Sequence, residues 1–244
     1  MRGENVIVPL YPGARHVSKT ADQNTYSLGM WLRGVAQDAG NSAVAATKAQ
    51  YMKNYNDLVR LLWKGGKQFQ LTKRFYDTYG AGVVSATALA AYASGMEPIM
   101  IGPAAGRCVI DLILADPFFY DDALFSTNLV NGNNTIIVPG NAPTLNMLFT
   151  ITGSRSNVTI RNLTNGIQFT SPEVVLSGDS VEINPRTYDA TFQPSSGVEY
   201  DVSSRIIHSG SYQWMQLEPG TNIIELSSSS GIGIVSLQAR GAWV

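Results

Sequence analysis

The chain has 244 residues, of which 44% are apolar and 14% charged, with a formal net charge of −1. That apolar share is enough for a packed core and excludes wholesale disorder. The near-neutral charge excludes nucleic-acid binding driven by a general basic field. Charged residues fall well below the usual share of about 25%, so neutral polar groups must cover much of the surface. On a soft prior of roughly 150 residues per domain, two medium domains are expected. Cys108 is the only cysteine, so no intrachain disulfide can form and a metal site would have to rely on His16, His208 and carboxylates. Met1 to Lys19 holds no apolar run of signal-peptide length, and Val83 to Met96 falls short of the ~20 residues a membrane helix needs. The expectation is synthesis in the cytoplasm and no membrane partner.

In chain order, Val6 to Pro9 reads as a short edge piece. Thr25 to Arg33 alternates, placing Tyr26, Leu28, Met30 and Leu32 on one face of a strand. Val44, Tyr51, Tyr55, Leu58 and Leu62 recur at helical spacing, which predicts a helix over about 43–63 with Asn41 or Ser42 as N-cap and Gly65-Gly66 as its stop. The basic run Lys64, Lys67, Lys73 and Arg74 is interleaved with Trp63, Phe69, Phe75 and Tyr76. Its simplest reading is a strand with its charges turned to solvent. Val83–Met96 and Arg107–Leu114 read as long strands joined by a turn at Gly102 to Gly106. In the second of them Cys108, Ile110, Leu112 and Leu114 alternate with Val109, Asp111 and Ile113.

The composition changes between Asp116 and Ser126. Every lysine lies at or before Lys73, and the second half is rich in Ser, Thr and Asn, with turn clusters such as Asn131 to Asn134. From Thr135 onward short strands follow one another: Thr135–Val138, Met147–Thr152, Asn157–Asn162, Ile167–Thr170, Ser180–Asn184, Thr187–Phe192, Gln213–Leu217, Asn222–Leu226 and Ile232–Arg240. Strands at such spacing indicate a sandwich.

Catalytic constellations are sparse. Cys108 on an alternating strand fits a small core residue better than a thiolate nucleophile. Neither histidine has a second ligand at metal spacing. Asp116, Asp121 and Asp122 could supply the paired carboxylates of a glycoside hydrolase, against the plainer reading of solvated acids at a domain junction. Gly65-Gly66-Lys67 follows a helix and precedes Gln68, so it is not a phosphate-binding loop. Tyr188, Tyr200, Tyr212 and Trp214 are available for sugar stacking, although Trp214 fits the core better. No catalytic residue, metal or cofactor is expected.

Several linked stretches resemble the distal tail protein family of long, flexible-tailed bacteriophages, a group of minor tail proteins common in phages of actinobacteria. In the first half the resemblance rests on Arg2-Gly3-Glu4-Asn5-Val6, on Leu28-Gly29-Met30-Trp31-Leu32-Arg33-Gly34 and on Leu58 to Trp63 followed by Gln68 to Arg74. Leu114-Ala115-Asp116-Pro117-Phe118-Phe119-Tyr120 looks like the family's domain junction. In the second half it rests on Leu176 to Asn184, Trp214 to Asn222 and the closing Ala239-Arg240-Gly241-Ala242-Trp243. The resemblance implies a mainly β, two-domain structural protein. Residues 1–120 would form a tail-tube-like β-barrel with one helix, and residues 121–244 a galectin-like antiparallel β-sandwich.

Such a protein forms a homohexameric ring at the distal end of the virion tail. The ring leaves a channel for genomic DNA in transit and joins the major tail tube protein to the tail-tip hub, with the tape-measure protein and other minor tail proteins as further partners. Tyr26, Leu28, Met30, Leu32, Ile110 and Leu112 mark the strands expected to build the ring and its lumen, because such strands must pair across subunits. The alternative is a receptor-binding module whose sandwich recognises host-surface glycans. The second half is little longer than a bare sandwich, with no room for the carbohydrate-binding insertions that some family members carry.

Overall fold

The computed structural model describes residues 25–34, 46–62, 68–77, 82–95, 97–114, 116–208, 214–231 and 233–244. Val6–Pro9, His16, Asn41, Ser42, Trp63, Gly65-Gly66, Lys64, Lys67 and Tyr212 lie outside them. The chain divides into two compact units, residues 1–71 with 88–117 and residues 72–87 with 118–244. The fold is mainly β, with one α-helix among the described residues, and all the strand registers described are antiparallel.

The first unit is built on β1 (Thr25–Arg33) and β5 (Ala105–Leu114), which pair in register from Thr25↔Ile113 to Arg33↔Ala105. β1 has the bounds its alternation predicts. One face of this ladder holds Tyr26, Leu28, Met30 and Leu32 opposite Leu112, Ile110, Cys108 and Gly106. Helix α1 (Lys48–Leu62) packs against β1 and turns Tyr51 inward. A Cβ on Gly106 would lie 2.6 Å from the Tyr51 hydroxyl, so the ring needs the bare main chain there. The expected start near residue 43 is corrected at 46–47, which are not helical. Thr47 instead caps the helix, its hydroxyl accepting the Gln50 amide at 3.2 Å. Asn54 then fixes the helix to β1 by donating to the Arg33 carbonyl at 2.7 Å.

β2 (Phe69–Asp77) and β3 (Gly82–Ser94) follow. The second half of β3 pairs with β5, from Ala90↔Leu114 to Ser94↔Asp111. The single turn expected between the two long strands is corrected: β4 (Ile99–Gly102) intervenes and forms its own hairpin with the start of β5. Four residues set between Pro98 and Pro103, without alternation, leave no periodic signal for it.

The second unit is a sandwich. One sheet runs β14 (Tyr200–Asp201), β13 (Asp189–Gln193), β12 (Ser180–Asn184), β9 (Met147–Thr152), β18 (Ile234–Ala239) and β7 (Phe125–Leu129). The other runs β15 (Ile207–His208), β11 (Gln168–Val175), β10 (Arg155–Asn162), β16 (Gly220–Ser227) and β8 (Gly132–Val138), with β17 (Ser230–Gly231) beside β10. Both sheets feed one buried core, with Phe149, Ile151, Val181, Ile183, Val235 and Leu237 from the first and Val158, Ile160, Phe169, Ile224 and Leu226 from the second.

The rings of Phe149 and Phe169 meet edge to face at 5.4 Å, joining the two sheets. A Phe149→Leu, Phe169→Leu double-mutant cycle is expected to show a coupling of about 0.5–1.5 kcal/mol beyond the lost area, read by urea denaturation. The expected strand Gln213–Leu217 is corrected: Trp214 to Gln216 form no ladder, and Leu217 makes only an isolated bridge to Thr144. Trp214 and Met215 are both buried, so this stretch crosses the core where a strand would show every second side chain to solvent.

Two short strands complete the second unit. β6 (Phe119–Asp121) pairs with β19 (Ala242–Trp243), and β6 also meets the first half of β3 at Ala86↔Asp121 and Thr87↔Tyr120.

Candidate functional site

In the first unit, the residues expected to mark the ring strands share the covered face of the β1–β5 ladder. Ile110, Leu112 and Leu32 are buried, and Tyr26, Leu28 and Met30 are half-buried. They hold the unit together. The opposite face is open and carries Thr25, Ser27, Trp31, Arg33, Arg107 and Val109, with Trp31 68% exposed. On β4, Ile99, Met100 and Ile101 are all exposed, so neither side of that strand is covered. Among the described residues β1 pairs on one side only. A nine-residue edge beside uncovered Trp31, Val109 and the Ile99–Ile101 run is the kind of surface that marks an interaction site. A hollow of about 1170 Å³ in the same unit is lined in part by Trp31, Tyr55, Val59, Tyr92, Ile99 and Arg107.

Asp111 stitches three strands of this unit together. Its carboxylate accepts the Ser27 hydroxyl of β1 at 2.7 Å and the Ser94 hydroxyl of β3 at 2.9 Å. Those bonds hold its pKa below the usual aspartate value. Cys108 is buried on the covered face, and burial pushes its thiol up, away from the thiolate that a nucleophile needs.

In the second unit, Asp121 and Asp122 do structural work. Asp121 is buried and accepts the Trp243 indole N–H at 2.6 Å, while Arg240 donates to the main-chain carbonyls of both aspartates. Asp122 accepts the hydroxyls of Ser85 and, at 2.7 Å, Thr87, which hold it below the ordinary carboxylate range. Asp116 belongs to the first unit. The solvent-facing reading of the basic run is corrected at Lys73. Arg74 is exposed, but Lys73 shares the half-buried face with Phe75, lies over the rings of Phe119 at 4.6 Å and Phe75 at 5.1 Å, and donates to the Val244 carbonyl at 3.2 Å. Burial lowers its pKa.

The sandwich aromatics pack on one another. Tyr200 stacks on Phe192 at 5.1 Å, and Trp214 lies within 6.0 Å of the Tyr188 ring and 4.8 Å of His208. Among the described residues no group of three His, Cys, Asp or Glu is placed to hold a metal ion, and no helix is long and apolar enough to cross a membrane.

The depressed carboxylates make stability depend on acid. Asp111, Asp122, Asp179 and Asp201 all have folded pKa values below their ordinary ones because hydroxyl or main-chain N–H groups donate to them. The unfolded chain binds their protons first, so their stabilisation is fully present above about pH 4 and drains away as pH falls through the lower folded values. Denaturation midpoints are expected to hold between about pH 6 and 4 and then fall, with a shallower fall in Asp122→Asn.

No protein-family model and no curated protein sequence matches the chain. Its fold is similar to that of the SPP1 Dit protein (gp 19.1), whose crystal structure is described as a paradigm of the hub adsorption apparatus in phages that infect Gram-positive bacteria. The TM-score is 0.56 over 89% of this chain and 79% of that one, at 10% sequence identity. The chain therefore has a Dit-like fold: mainly β, one helix among the described residues and three antiparallel sheets.

Proposed function

We propose that this chain is a structural protein of a phage tail tip that closes into a ring, six copies around a channel wide enough for DNA in transit, between the end of the tail tube and the tail-tip hub. The observation that carries the reading is the Dit-like fold over 89% of the chain. The first unit supports it physically. Its β1 edge, unpaired among the described residues, and the exposed β4 hairpin offer main-chain hydrogen bonds and apolar side chains to a neighbouring copy. In this reading the covered face, with Tyr26, Leu28, Met30, Leu32, Ile110 and Leu112, stiffens each subunit, and the open face of the same two strands lies toward the lumen. The second unit, a self-contained sandwich, is displayed for contacts with the hub and other minor tail proteins. The function is mechanical and needs no catalytic group.

Gold-labelled antibodies against the purified chain, applied to intact particles of the encoding phage, test the placement. Label confined to the distal end of the tail is expected. Label on the head or spread along the tail shaft would overturn it.

A further inference from the structure

The second unit holds a nearly buried charged group with no acidic partner among the described residues. Arg155, at the start of β10, is only 8% exposed. Its Nε donates to the Gly233 carbonyl, and its Nη1 donates to Asn131 Oδ1 at 2.9 Å and Ser228 Oγ at 3.2 Å. These bonds pin three loops, but every acceptor is neutral. Among the described residues no carboxylate pairs with Arg155. A guanidinium has five N–H donors, and the two on Nη2 have no partner among the described residues. Arginine stays protonated inside proteins, so the charge persists, and burial lowers its pKa.

Arg155 lines a hollow of about 420 Å³ together with Asn128, Val130, Asn131, Gly231 and Ile234. The hollow is open to solvent, and its exposed lining is mainly apolar apart from the guanidinium and the asparagines. No acidic side chain lines it. Gly231 sits at φ +100°, and a Cβ there would lie 1.6 Å from the Ser154 carbonyl, so that wall is bare main chain. A nearly buried cation with two N–H donors left over among the described residues and no carboxylate beside it has the chemistry to receive an oxyanion.

We propose that this hollow binds a singly charged oxyanion, a carboxylate or a phosphodiester, with Arg155 as its counter-charge. Arg155 and the residues lining the hollow belong to the second unit, so the site is complete in one chain and stands or falls independently of ring formation.

Thermal unfolding of the full chain tests the site, with glucuronate, dimethyl phosphate or sodium chloride added to about 50 mM at matched ionic strength. A ligand of the folded state raises the midpoint with its concentration. At least one of the two oxyanions is expected to do so with a Kd of order 1 mM, while chloride does not. A rise with glucuronate alone assigns a carboxylate, and a rise with dimethyl phosphate alone assigns a phosphodiester. Asn131→Asp keeps an acceptor for Nη1 and supplies an internal counter-charge. It is expected to weaken binding at least tenfold while leaving the ligand-free midpoint unchanged or higher. No rise beyond that in chloride, or a rise that survives Asn131→Asp, would overturn the proposal.

Discussion

Replacing Trp243 by alanine is expected to destabilise the second unit by about 3–5 kcal/mol, among the largest effects of any single change in this chain. The indole is 94% buried on β19, its edge meets the Phe75 ring at 4.8 Å, and it pairs across the ladder with Phe119. Truncation removes that packing. It also removes the N–H that Asp121, itself buried, accepts at 2.6 Å, and the loss of that hydrogen bond adds to the cost of the cavity. Asp121→Asn keeps an oxygen acceptor for the indole and should lose far less. Urea denaturation followed by circular dichroism measures both variants. A loss below about 1 kcal/mol in Trp243→Ala would mean that β6 and β19 are dispensable to the unit.

The second large effect concerns assembly and should leave the fold intact. Met100 and Ile101 are 48% and 53% exposed on a hairpin with neither face covered, so glutamate at both positions should change the stability of a single chain by no more than about 0.5 kcal/mol per site. In a ring that buries this hairpin, the same two carboxylates must be desolvated without partners. Loss of a central apolar anchor alone costs an interface about 2 kcal/mol or more, roughly thirtyfold in affinity. The Met100→Glu, Ile101→Glu variant is therefore expected to keep its thermal midpoint and lose ring formation by at least that factor. A variant that still forms rings as tightly as the parent would place the hairpin outside the interface.

Much of this architecture is legible in the sequence wherever one face of an element is buried and the other is wet. β1, β9 and β12 alternate cleanly, and their bounds follow from that alternation. Tyr51, Tyr55, Leu58 and Leu62 declare the helix in the same way. Elements without a period leave no such trace. β6 and β19 are buried at every position and are joined by contacts between residues more than a hundred positions apart. β4 is exposed at three successive residues, so alternation misses the very segment that the assembly reading depends on. Arg155 sits in Gly153-Ser154-Arg155-Ser156, which reads as an ordinary polar turn. Only the approach of Asn131, Ser228 and Gly233 from distant segments buries it. Asp121 and Asp122 read in the sequence as solvated acids at a domain junction, whereas Asp121 is buried and the partners of the pair, Trp243, Ser85 and Thr87, make them struts.

Closure of this chain into a ring can be read by multi-angle light scattering on the purified full chain, with negative-stain images of the same peak. Six copies of the 26.3 kDa chain give a mass of about 158 kDa, and that mass with open rings in the images is the expected result. A mass that stays at 26.3 kDa as concentration rises, with no rings, would contradict it.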